Sequence, residues 1–241
     1  MLLLHEVGRR LGRARIAADP EGASAGGGVV DGAVFALLGL LIAFTFSGAA
    51  ARFDTRRDLV VAEANDIGTA WLRLDVLPAD AQPALRDLFR SYLDARLEVY
   101  RSVPDLAAVE KALARSVALQ GEIWSRAVAA CKSPGGDRAI VVLLPALNEM
   151  IDITTTRTMA ARMHPPKVIF ALLIALGLAC SLLAGYAMAG GRQRHWTHAV
   201  VFAATITITV YVILDLEYPR LGLIRVDAAD QVLVELRESI R

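Results

Sequence analysis

The chain has 241 residues, 55% of them hydrophobic and 21% charged, and its mean hydropathy is positive, so the apolar content is gathered in blocks with polar segments between them. Lys and Arg number 26 against 25 acidic residues, a formal net charge of +1, which excludes nucleic-acid binding driven by a basic surface. Cys131 and Cys180 stand in dissimilar surroundings, one polar and one apolar, and no metal-type cysteine spacing exists.

Residues 1–28 read as a basic N-terminal segment and linker. Arg9, Arg10, Arg13 and Arg15 follow only three leucines, too short an apolar run for a cleavable signal or a membrane span. Two readings are open: an interfacial basic segment, or the tail of an earlier membrane helix if translation starts further upstream. The Ala-, Gly- and Ser-rich stretch from Asp19 to Gly28 reads as a flexible connection.

The first span is assigned to residues 29–51. Asp31 and Arg52 bracket 20 residues without charge, which at a rise of ~1.5 Å per residue cover the ~30 Å hydrocarbon core of a bilayer. Thr45, Ser47, Gly32, Gly39 and Gly48 are small or able to bond back to a carbonyl one turn earlier, which suits a packed span. Ala36, Leu40 and Phe44 stand four apart and form one ridge. Such a ridge faces lipid or a partner helix, or it lines a pore as an apolar constriction. Arg52, Arg56 and Arg57 follow it, either attracting anions to a pore mouth or snorkelling to phosphate headgroups.

Residues 52–165 read as a helical extramembrane domain. The span's helix continues, with Phe53, Val60, Ala64, Ile67 and Trp71 tracing one face. A second helix from about Ala81 to Tyr100 carries Leu85, Leu88, Phe89, Tyr92 and Leu97. A third opens at Asp105 with Leu106, Val109, Leu113, Val117 and Trp124, until Ser133-Pro134-Gly135-Gly136 breaks it. A fourth begins near Asp137, with a kink expected at Pro145. On it Asn148, Glu149, Asp152 and Arg157 form either a polar network or, with Thr156, a weak cation site of oxygen ligands.

The second and third spans are assigned to residues 166–190 and 197–216, joined by a basic loop at 191–196. His195 and His198 have no visible third ligand and read as interfacial histidines, while Thr205 and Thr209 share one face of the third span. Asp215 is an acid close to the hydrocarbon. It is a functional candidate, for instance in proton-coupled transport, or it pairs with an arginine such as Arg220. Residues 217–241 form a C-terminal amphipathic tail, with Asp227 as N-cap and Val232, Leu233 and Leu236 facing a partner. No nucleophile elbow, phosphate loop, zinc motif or dinucleotide fingerprint is present, so neither an enzyme nor a bound cofactor or metal is expected.

The stretch FALLGLLIAFTFSGAAARFDTRRDLVVAEANDIG resembles the second membrane helix of bestrophins and their bacterial relatives, in which an apolar helix with phenylalanine near its end passes to an Arg-aromatic pair, here Arg52-Phe53. The segments LPALNEMIDITTTR and ITVYVILDLEYPRLGLIRVD look like those of a large group of bacterial membrane proteins described as bestrophin-like. The resemblance implies a pentameric anion channel with Ala36, Leu40 and Phe44 at the neck. It also implies four spans, one more than counted here, and the missing one falls at the N-terminus. The acidic calcium clasp of animal members is absent, so calcium gating is not implied. Basic residues near the span ends number six on one side and eight on the other and do not set the orientation; the resemblance puts the helical domain in the cytoplasm.

The expectation is therefore an all-α, multi-pass protein of the bacterial inner membrane with three spans. It would form a homo-oligomer in the lipid bilayer and pass chloride or other anions. A non-conducting scaffold or sensor, and a transporter using Asp215, stand as alternatives.

Overall fold

The charge-free stretches become helices because only a helix satisfies every backbone N–H and C=O within its own segment in lipid. A computed structural model describes residues 1–19, 27–191 and 196–240, and among them eight α-helices and no strand. These are α1 (Leu2–Ala18), α2 (Gly27–Arg73), α3 (Gln82–Arg101), α4 (Leu106–Cys131), α5 (Ile140–Arg162), α6 (Lys167–Ala187), α7 (Trp196–Glu217) and α8 (Asp227–Ser239). Among the described residues three helical stretches are long and apolar enough to cross a membrane: Gly28–Val76, Asp137–Gly190 and Trp196–Glu217. The chain is an all-α membrane protein.

Two compact units divide it. The first comprises Met1–Ala51 and His164–Glu217, so it holds α1, the apolar half of α2, α6 and α7. The basic N-terminal segment is a helix that lies along α6. A Cβ added at Gly8 would stand 1.9 Å from the Leu182 carbonyl oxygen, and one added at Gly185 would stand 1.9 Å from that of His5. Backbone therefore meets backbone where α1 crosses α6, as small residues permit. Around Gly32 and Gly39, read from the sequence as sites of close approach, no described residue beyond the neighbouring turn of α2 comes within 4 Å of such a Cβ. Thr45 and Thr209 bond back one turn, to the Leu41 carbonyl at 2.7 Å and the Thr205 carbonyl at 2.8 Å. Of the basic loop, residues 192–195, and His195 with them, lie outside the described residues.

The second unit comprises Arg52–Met163 and Tyr218–Arg241. Its core is built from Ile67 and Leu74 of the α2 side, Phe89 and Leu93 of α3, Ile123 of α4, Leu143, Leu147 and Met150 of α5, and Leu233 of α8. The Trp71 and Phe89 rings meet edge to face at 6.0 Å. The partner of the C-terminal helix is thus its own domain: Leu233 is fully buried, and Val232 and Leu236 pack on the same core. That helix begins at Asp227, with Val226 in the cap position.

Helix boundaries follow local chemistry. Asp105 accepts from the Ala107 and Ala108 amides at 3.0 and 3.1 Å and so caps α4. Pro145 lies inside α5 without ending it. The face expected for α4 is corrected: Leu106 and Val117 are exposed, whereas Ala112, Ser116, Gln120, Ile123 and Ala127 are buried. Apart from Ile123, small and polar residues form the inward stripe, and Leu106 and Val117 look outward.

Candidate functional site

Along the apolar half of α2 the two faces differ. Leu38 and Ala49 are buried, and Thr45 and Phe35 are partly so, with Phe35 against Phe202 of α7 at 5.9 Å. These positions recur at helical spacing and form the packed face. Ala36, Leu40 and Phe44 stand on the opposite face; Leu40 is 52% and Phe44 68% exposed. The ridge singled out in the sequence is thus not used for packing within the chain.

The three arginines beyond it have separate fates. Arg56 is buried and donates to the carbonyls of Ala160 at 3.2 Å and Met163 at 3.0 Å. It caps the C-terminal end of α5, where a cation meets the negative end of the helix. Arg57 is exposed, 3.6 Å from Asp54 and over the Phe53 ring. Arg52 is half-buried.

The expected polar group on α5 divides as well. Asn148 donates to Asp152 at 2.9 Å on the exposed side, where Glu149 also lies. Arg157 is buried and donates instead to Glu63 of α2 and, at 3.3 Å, to Asp230 of α8. Among the described residues no group of three His, Cys, Asp or Glu is placed to hold a metal. Asp215 is buried near the end of α7, and two residues on Glu217 faces His164 at 3.4 Å.

Glu63, Arg96 and Tyr100, which the sequence reading did not single out, join Arg157 in a buried polar cluster of the domain. Glu63 is fully buried between the guanidiniums of Arg96 and Arg157, and it accepts from the Tyr100 hydroxyl at 3.1 Å. Arg157 lies 4.0 Å and Arg220 4.8 Å from the Tyr100 ring centre. Arg220 grips Asp230 with two bonds of 2.8 and 3.0 Å. Burial alone would raise the Glu63 carboxyl, but the charges and hydrogen bonds of Arg96 and Arg157 outweigh it and hold the pKa below the usual carboxylate value. Nearby Asp66 moves the other way, raised by partial burial and by the charges of Glu149 and Glu63. A signal for this cluster exists in the sequence. Glu63 stands at core spacing from Val60 and Ile67, and Arg96 stands one turn from both Tyr92 and Tyr100, so each charge sits on an otherwise apolar stripe.

No curated protein matches the chain significantly. Crystal structures of a bacterial bestrophin homologue from Klebsiella pneumoniae share its fold. One, a point variant, superposes with a TM-score of 0.74 at 14% identity, covering 99% of this chain and 97% of the other. Another superposes at 0.72 and 14% identity, over 98% and 97% of the two chains. The model of the Bestrophin-like domain matches residues 5–230, nearly the whole chain, and the protein therefore belongs to the bestrophin-like family.

Proposed function

We propose that this bestrophin-like membrane protein is a subunit of an anion channel and not an enzyme. Copies of the chain assemble as a homo-oligomeric ring, a pentamer by resemblance, in the bacterial inner membrane with the helical domain on the cytoplasmic side. Ala36, Leu40 and Phe44 of α2 line an apolar neck, and Arg52 and Arg57 attract chloride or other anions at its mouth. The observation that carries this reading is the exposed ridge on a span whose opposite face is packed. An unpacked apolar ridge of one helix, repeated around an axis, makes a constriction that gates by dewetting.

Shortening the side chain at the neck is then expected to raise conduction. Purified protein in liposomes should release chloride, and Phe44→Ala should increase the rate several-fold, because a wider neck holds water more readily. An electrically silent monomer would defeat the proposal. In a non-conducting scaffold or sensor the same ridge faces lipid, and Leu40→Ala would alter stability alone. A transporter using Asp215 requires instead that Asp215→Asn abolish transport and leave assembly intact.

A further inference from the structure

The basic N-terminal helix runs alongside α6 and in the same direction. Ser181 Oγ donates to the Met1 carbonyl at 2.8 Å, Gly8 lies against Leu182 and Tyr186, and Gly12 lies against Tyr186 and Ala189. From Ser181 to Ala189 the chain rises about 12 Å at helical pitch. No charge interrupts the sequence from Val168 to Gly191, and the apolar helical stretch ends at Gly190. The first turns of α1 are therefore level with the embedded end of α6, and its later turns emerge where that end meets the membrane boundary.

His5, Gly8, Arg9 and Gly12 are the residues that α1 buries. Its outer face carries Leu3, 83% exposed, then Val7, also exposed, and then Arg10, whose side chain is 78% exposed. Leu3, Val7 and Arg10 stand at i, i+4 and i+7 and so form one stripe. That stripe is apolar along the embedded turns and basic at their upper limit. Arg13, exposed, follows one turn beyond Arg10.

The charges here are only partly matched. Arg9 and Arg10 share Glu6, at 3.4 and 3.3 Å. Arg13 and Arg15 have no ion-pair partner among the described residues. Over residues 1–31 and 188–198, the sequence at this end of the apolar helices, Arg9, Arg10, Arg13, Arg15, Arg192 and Arg194 stand against Glu6, Asp19, Glu21 and Asp31. Two positive charges remain with histidine neutral. Basic residues at a membrane surface attract anionic lipid headgroups.

We propose that the outer face of α1 binds one anionic phospholipid, its phosphate held by Arg10 and Arg13 and an acyl chain lying over Leu3 and Val7. The order along the stripe, apolar within the membrane and cationic at its edge, is that of a lipid, whereas a soluble anion would use the basic end alone. A zwitterionic headgroup brings its own ammonium and leaves the surplus positive charge unmatched. The site uses none of the ridge residues of α2, so its occupancy is read without any conductance.

Native mass spectrometry of the full-length protein in a neutral detergent, titrated with dioleoylphosphatidylglycerol, tests this. That lipid should bind about tenfold more tightly than dioleoylphosphatidylcholine, and inorganic phosphate at equal concentration should not displace it. Arg10→Gln with Arg13→Gln, both at exposed positions, should weaken phosphatidylglycerol by about fivefold per arginine and leave phosphatidylcholine unchanged. Leu3→Gln should weaken both lipids alike, through lost contact with the acyl chain. Arg126→Gln, an exposed arginine of the helical domain, should change neither. Equal affinity for the two lipids, displacement by phosphate, indifference to the double substitution, or an equal loss with Arg126→Gln would each overturn the proposal.

Discussion

Glu63 is the residue on which the helical domain most depends for its polar interior. It is wholly buried, and two of its three partners are themselves buried arginines. Removing one partner of such a cluster strands the others without compensation, which in comparable cases costs about 3–5 kcal/mol. Glu63→Gln keeps the size but not the charge, and it is expected to lower stability by about that amount, measured by thermal or denaturant unfolding in detergent. Because the folded pKa of Glu63 lies below its unfolded value, its contribution is fully present above about pH 4.3 and is lost as the pH falls through the folded value. As the pH falls from about 4.3 toward the folded value, the wild type should lose stability more steeply than Glu63→Gln. Equal slopes for the two proteins would show that the carboxylate is not held ionised by its arginines.

At the scale of elements, the crossing of α1 over α6 sets a narrow tolerance. With carbonyl oxygens of the facing helix 1.9 Å from any Cβ built at Gly8 or Gly185, a larger residue cannot be accommodated by a rotamer change, and the helices must separate. Gly185→Val is expected to destabilise the first unit by at least the 1–3 kcal/mol typical of overpacking, about the cost of an inserted methylene or more, and to be seen as a lower melting temperature. Gly39→Ala, where no described residue beyond the neighbouring turn lies within 4 Å, should be neutral in a monomer. The elements themselves were largely legible in the sequence. Long charge-free runs mark the spans, and Pro-Asp and Ser-Pro-Gly-Gly signals mark the ends of α4. Its orientation was not legible, because a stripe of Ala112, Ser116 and Gln120 carries no hydropathy signal and the outward Leu106 and Val117 do. Nor was the partner of α8, since amphipathicity shows that a face is buried and not against what.

At the scale of the whole molecule, the division into a unit with the apolar helices and a unit of amphipathic ones follows from where charge falls along the chain. What composition cannot encode is pairing between distant positions, such as Glu63 with Arg157 or Arg220 with Asp230. That is why the spacing of Ala36, Leu40 and Phe44 along one helix is visible in the sequence, whereas the partners of Glu63 are not. The central claim is that this ridge surrounds an ion path. The most direct measurement is chloride efflux from liposomes holding Phe44→Cys protein, with and without a positively charged thiol reagent. Phe46→Cys, on the other flank of the exposed face, serves as the control. Modification at position 44 is expected to change the efflux rate, and modification at position 46 is expected to leave it as it was. Unchanged efflux after complete labelling of position 44, or no efflux at all, would contradict the claim.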